Sequence, residues 1–382
     1  MLRLVALFIA IFFLPSIASA AWQPELRIGL SSTASTFSIQ CSLPAVLSDA
    51  SNDQPIGMLG KDKPIAITIN ENKISVNGIM LNTAAIDIRP RVDSQLGEMI
   101  TAVGDQKLSG GVRLVLSEGH FVLINLTTVE QYLRGVVPSE MPAGWHVEAL
   151  KAQTIAARTF AMQNRKRHEA AGFDVCTTVH CQVFKGAEGA HENADKAIAD
   201  TAGEVMVFKG ALINAMFHTD SGGMTESTAN VWGGDLPYLQ SVEDYEMKTQ
   251  PWEVKMTSDE FASKLNAASK GVGSVKSIKL SALEIGKGAG DRTPSGRVRE
   301  ITIVGSDREI KLSGEDMRSI LGLPSTLFEV AINGGAIEIS GYGRGHGVGM
   351  SQYGAKGFAE RGKSYKEILN HYYKGIELKK IY

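Results

Sequence analysis

The chain has 382 residues, 43% of them hydrophobic and 21% charged, with a formal net charge of −2. This is the composition of an ordinary globular protein, long enough for two or three domains or for one large domain with a smaller appendage. The near-neutral balance excludes the basic domain expected of a nucleic-acid binder.

Arg3 precedes an unbroken apolar run over residues 4–14, Pro15 interrupts it, and Ala18-Ser19-Ala20 places small residues where a signal peptidase reads. The run is shorter than the ~20 residues of a membrane-spanning helix. Residues 1–20 therefore read as a cleaved signal peptide, a retained anchor being the alternative. The expected location is outside the cytoplasm, periplasmic or bound to the cell wall, away from nucleotides. Three cysteines are too few for a disulfide framework.

From 21 to 121 short alternating runs (LRIGL, AITIN, KISVNGIML, AIDIRP, VRLVL, FVLINL) are separated by Gly, Asn, Asp and Ser. They predict a β-rich N-terminal module. Residues 122–382 predict a second, mixed helix-and-strand domain with a packed insertion at about 255–335. Within it, 129–134 reads as a short helix, followed by GVVPSEMPAGW and then a long helix from Trp145 to about His168. That helix is apolar or small on most faces, as a buried helix is. A further helix is expected at 187–201, then strands EVMVF and ALINAMFHT, an irregular loop over 221–240, the strand AIEIS, a glycine-rich segment and a final helix at SYKEILNHYY. The fold class is α+β, with mixed or antiparallel strands around the long helix.

Three segments then stand out: VEQYLRGVVPSEMPAGWHVEALKAQTIAARTFA; FHTDSGGMTE with VWGGDLPYLQSVED; and GYGRGHGVGMSQYGAKGFAERGKSYKEILNHYYKGIEL. In wording and order they resemble the stage II sporulation protein D family, which includes amidase enhancers. The resemblance runs from about Leu123 to Leu378. It implies a lytic transglycosylase acting on peptidoglycan glycan strands already stripped of stem peptides, with no cofactor needed for catalysis. It also implies dependence on a cell-wall amidase that acts first.

Glu140 is the expected acid/base. It lies between Pro138 and Pro142, which restrict the backbone in what reads as a turn feeding the buried helix. Lytic cleavage needs one carboxyl group, because the nucleophile is the substrate's own 6-hydroxyl. A hydrolase needs a second, for which Asp220, Glu226 and Asp235 are the candidates. A helix N-terminus would depress the Glu140 pKa where an acid needs it raised, so burial against Met141 or Trp145 is required. Arg158 also matches the family wording, but it lies about 24 Å from Pro142 along a straight helix. It is expected to be structural, or to support the site from behind if the helix is shorter than it looks.

His218, Ser221 and Gly222 form a polar cluster at a strand end where glycines let a ligand approach. Neighbours on an extended segment do not converge into a triad, so a serine-protease reading fails. Glycines at 341, 343, 345, 347 and 349 would, in an extended strand, leave one face bare and aim Arg344 and His346 into a cleft. There Arg344 would meet the lactyl carboxylate of muramic acid. Tyr353, in the same family word, is expected to join them in binding substrate. His168, Cys176, His180 and Cys181 make a possible structural zinc set, with a Cys176–Cys181 disulfide as the rival. GFAERGKS matches a phosphate-loop pattern by coincidence, since helix-forming residues precede it where a strand is required.

Overall fold

The computed structural model describes residues 23–30, 34–91, 98–244 and 251–382. The signal segment, residues 1–20, lies outside them.

The N-terminal strands form because alternate side chains are apolar. In Glu25–Leu30, for example, Leu26, Ile28 and Leu30 are buried. The strands make a seven-stranded sheet, in the order 175–176, 25–30, 120–128, 111–117, 85–90, 45–49, 55–59. A six-stranded sheet runs in the order 106–109, 100–103, 36–41, 65–70, 73–76, 79–80. The module expected to end at residue 121 is not separate. Its last strand, His120–Thr128, runs across that point, and one hydrophobic core continues from these sheets into the helices. Val175–Cys176 joins the first sheet from the other side, pairing in parallel with Ile28 and Gly29.

Eight α-helices are described. Helix α1 spans Val129–Glu140 and opens on a capping box of Thr128 and Gln131. The expected stop at 134 is incorrect: Pro138 stands in its last turn, and the Met141 N–H still bonds the Val137 carbonyl at 2.9 Å. Proline costs the helix one hydrogen bond but does not end it this close to the C-terminus. Helix α2, Val147–Gln163, is buried over almost its whole length, from Ala149 to Ala161 apart from Lys151. Its alanines and threonines let neighbours approach on all sides. It is shorter than expected, because Asn164 caps the Phe160 carbonyl at 2.8 Å and the chain turns there. Helix α3 is Glu192–Asp200 and α4 is Thr228–Trp232, the latter inside the segment expected to be irregular.

The insertion comprises strand Trp252–Thr257, α5 (Ser258–Ala267), strands 275–279, 300–305 and 309–313, α6 (Gly314–Leu321), and strands 328–333 and 336–341. It has a core of its own, built on Phe261, Leu265, Ile301, Met317 and Phe328. Trp252 pairs with Gly341, so the chain enters and leaves this unit at neighbouring positions. Two helices complete the fold: α7 (Gln352–Glu360), which carries the start of GFAERGKS, and α8 (Tyr365–Tyr372). No helix among the described residues is long and apolar enough to cross a membrane.

Candidate active site

Glu140 is the last residue of α1, not part of a turn entering α2. The negative end of the helix dipole therefore faces it, and the conflict expected from an N-terminal position disappears. Burial raises its pKa above the usual carboxylate value. The Val183 N–H, donating to Oε1 at 2.7 Å, and the Gln352 side chain pull in the other direction without cancelling that rise. Gly135 makes the Val183 contact possible. A Cβ there would lie 2.6 Å from the Phe184 ring and 2.7 Å from the Gly186 carbonyl, so only glycine lets this loop close onto α1.

Glu140 opens into a cavity of about 480 Å³, within the usual range for a ligand site. Its wall includes Phe160, Phe217, His218, Trp232, Arg318, His346 and Gln352. Two of the three conspicuous sequence segments build this wall by pairing. Phe217 and His218 lie parallel to Met350 and Ser351, while Asp220 bridges Arg344 and Glu226 bridges Val348. The glycine-rich segment is not the extended strand expected. Gly343, Gly345, Gly347 and Gly349 have φ of 74°, 104°, 83° and 73°, a left-handed series that coils the chain tightly. At Gly347 a Cβ would sit 2.5 Å from the guanidinium of Arg297, which is fully buried and bonds the Ser221 carbonyl at 2.7 Å.

The two cavity histidines are neutral near pH 7. Burial pushes His218 well below its ordinary pKa, and burial with Arg318 and Arg297 nearby pushes His346 down to about 4. Their partners fix opposite tautomers. His218 Nδ1 donates to the Val348 carbonyl at 3.1 Å, leaving Nε2 a buried acceptor without a partner. His346 Nδ1 instead accepts from the Val348 N–H at 3.0 Å.

The other residues expected to bind substrate lie outside this wall. Ser221 is fully buried and donates to Asp244, bracing the loop. Gly222 packs against Leu327, where a Cβ would come within 2.7 Å. Arg344 is exposed, its backbone tied both ways to Asp220. Tyr353 stacks edge-on against Trp145, with ring centroids 5.0 Å apart. Of the alternative carboxylates, Glu226 is buried in bonds to Ser295 and Asn230, Asp235 is exposed, and neither they nor Asp220 line the cavity. Arg158 is fully buried and pairs with Glu130 through two 2.8 Å bonds. Sequence reasoning missed Arg318 and Trp232, because α6 and α4 carry no pattern that points to a distant cavity.

His168, Cys176, His180 and Cys181 converge, with ligand atoms all within 4.8 Å of one another. His168 Nε2 lies 3.4 Å from Cys181 Sγ, and His180 Nδ1 lies 3.7 Å from each sulfur. A tetrahedral Zn²⁺ with standard bond lengths separates N and S ligands by about 3.6 Å. Both thiols are free. Cys176 is drawn down to about 6, its burial outweighed by hydrogen bonds from Thr178, His180 and Cys181, while burial pushes Cys181 up to about 11. The donor set fits zinc, and His180 and Cys181 also line the Glu140 cavity.

A family model described as "Stage II sporulation protein" matches residues 117–208, the part that carries Glu140 and the four metal-binding candidates. A second, described as a domain of unknown function, matches 240–349, which contains the insertion. The chain belongs to the stage II sporulation protein D family. It is 36% identical over 274 residues to stage II sporulation protein D of Bacillus amyloliquefaciens, covering 65% of this chain and 74% of that protein. An uncharacterized protein of Brachyspira hyodysenteriae is 34% identical over 275 residues, covering 70% and 71%. The amidase enhancer of Bacillus subtilis is 32% identical over 288 residues, which is 64% of this chain and 40% of that protein.

Proposed function

We propose that this protein is an exported, cell-wall-associated lytic transglycosylase that cleaves denuded peptidoglycan strands between muramic acid and glucosamine residues, with Glu140 as its acid and base. The observation that carries this reading is a single carboxyl group in the cavity wall, half-buried, with a raised pKa. Protonated Glu140 gives its proton to the glycosidic oxygen as the C1–O4 bond breaks. The resulting carboxylate takes the proton of the muramic acid 6-hydroxyl as O6 bonds to C1. The product is a 1,6-anhydro end, and Glu140 returns to its starting state with no water consumed. Trp232, exposed in the cavity wall, is suited to a sugar face. In this reading zinc, held by His168, Cys176, His180 and Cys181, is structural and fixes the segment that brings Val183 to Glu140.

Mass spectrometry of denuded strands incubated with the protein and with Glu140→Gln tests the assignment. Anhydro ends formed by the first and not the second are expected, whereas new reducing ends would mean hydrolysis. The similarity to an amidase enhancer supports a second reading, a glycan-binding protein that aids a partner amidase. Intact strands after incubation with folded protein would favour it.

A further inference from the structure

The cavity is built by two units with separate cores. Glu140 comes from the main body, whereas Arg318 stands on α6 of the insertion and lines the same cavity. The Arg318 side chain is 30% exposed, and its one hydrogen bond is a 3.4 Å contact from Nη1 to Glu315 one turn away. Among the described residues Nε and Nη2 have no protein partner, so the planar fork that binds a carboxylate through two parallel bonds is open there. The wall around it carries little competing negative charge. Burial raises the pKa of Glu140, disfavouring its charged form, and burial lowers the pKa of both histidines, disfavouring theirs. The other arginine of the wall, Arg167, lies at the metal-cluster end with Nη2 3.3 Å from His180 Nε2.

We infer that Arg318 is the specificity-determining residue of the cleft, binding the free lactyl carboxylate of muramic acid and so selecting strands whose stem peptide has been removed. This rests on the glycan reading above. While a stem peptide is attached, the lactyl group is an amide: it carries no charge and brings bulk with it. Amide hydrolysis creates one anion on every second sugar, the feature a guanidinium with an open fork detects. The insertion, matched by a domain of unknown function, thereby acquires a role: it supplies the cation that reads the substrate's history, while the main body supplies the acid.

The test uses the full protein and two probes: amidase-treated glycan strands, and the same strands with their carboxylates converted to methylamides. Calorimetric binding is measured on Glu140→Gln, so that cleavage does not intervene, and cleavage rates are measured on proteins retaining Glu140. The carboxylate strand is expected to bind Glu140→Gln at least about tenfold tighter than the methylamide strand, the scale of a charge-assisted hydrogen bond. Adding Arg318→Gln should bring that ratio to about one, and Arg318→Lys should retain part of it. Added salt should narrow the ratio in Glu140→Gln. Loss of the half-exposed pair with Glu315 costs little stability, and circular dichroism checks the fold of both variants. Equal binding of the two strands, a ratio that survives Arg318→Gln, or no binding of either would overturn the inference. Preferential binding without cleavage would refute the lytic reading and leave this one standing. Cleavage of both strands at equal rates would do the reverse.

Discussion

Gly135→Ala links the packing of α1 to the protonation of Glu140. The added Cβ would fall 2.6 Å from the Phe184 ring and 2.7 Å from the Gly186 carbonyl. Ordinary carbon contacts begin near 3.5 Å, so the loop must retreat by about 0.8 Å. Val183 is the neighbour of Phe184, and its 2.7 Å bond to Glu140 then stretches to about 3.5 Å, where a hydrogen bond is lost. The energies partly cancel. Alanine gains about 1 kcal/mol of helix propensity, and overpacking costs about 1–3 kcal/mol. The net loss of stability is about 0–2 kcal/mol, measurable as a shift in the urea midpoint. The protonation effect has a definite sign. The Val183 bond favours ionised Glu140, so its loss raises the pKa further. Carboxyl-¹³C glutamate labelling, with Glu140→Gln to identify the resonance, reads the titration midpoint without relying on catalysis. An unchanged or lower midpoint in folded Gly135→Ala would refute the argument.

Glu140→Gln should be more stable than the parent at neutral pH. Because the folded-state pKa is raised, the stability contributed by the neutral form is fully present below the ordinary value of 4.5 and is lost as pH rises through the folded pKa. The difference in melting temperature should therefore close towards pH 4, and a constant difference across pH would count against it. Glu130→Ala leaves the fully buried Arg158 guanidinium unpaired and should cost about 3–5 kcal/mol; Glu130→Ala/Arg158→Met should cost less than the sum of the single changes, as equilibrium urea unfolding will show. Elemental analysis should find one zinc per chain, and chelation should lower the melting point by about 2–4 °C for each kcal/mol lost. A Cys176–Cys181 disulfide in the native protein, detected by thiol titration, would exclude the metal.

What could be read in the sequence was whatever depends on local pattern. Alternation gave the N-terminal strands, and the apolar flanks of α2 placed it in the core. Arg158 was recognisable as structural because a straight helix puts it a long way from Glu140. Two errors came from treating local signals as decisive. The helix was expected to stop at 134 with a turn between Pro138 and Pro142, but a proline in the last turn forfeits a single hydrogen bond, and α1 continues to Glu140. The alternating glycines looked like a strand with one bare face, yet at four of them φ is positive, and the segment coils against Asp220 and Ser221. Arg344 was thereby placed in the cleft, whereas it is exposed and does not line the Glu140 cavity. Arg318 could not have been named, since its position depends on how the insertion docks, a long-range outcome that no local spacing encodes.

The candidate metal-ligand cluster and Glu140 are joined by very little chain. Cys181 is a cluster member, Gln182 accepts from the buried Tyr132 hydroxyl at 3.1 Å, Val183 donates to Glu140, and Phe184 stacks on Tyr132 with centroids 5.3 Å apart. Each of four consecutive residues is thus anchored, three of them on α1 through Tyr132 and Glu140. On the other flank Cys176 is held by the sheet through Gly29, and Asp174 by Arg27 at 2.9 Å. Whatever holds the four ligands together therefore restrains the N–H that opposes the raised pKa of Glu140, and it does so without touching substrate. A structural metal at this place would adjust acidity through the position of one backbone amide. Its removal should then move the Glu140 titration upward, in the same direction as Gly135→Ala, because both perturbations release Val183.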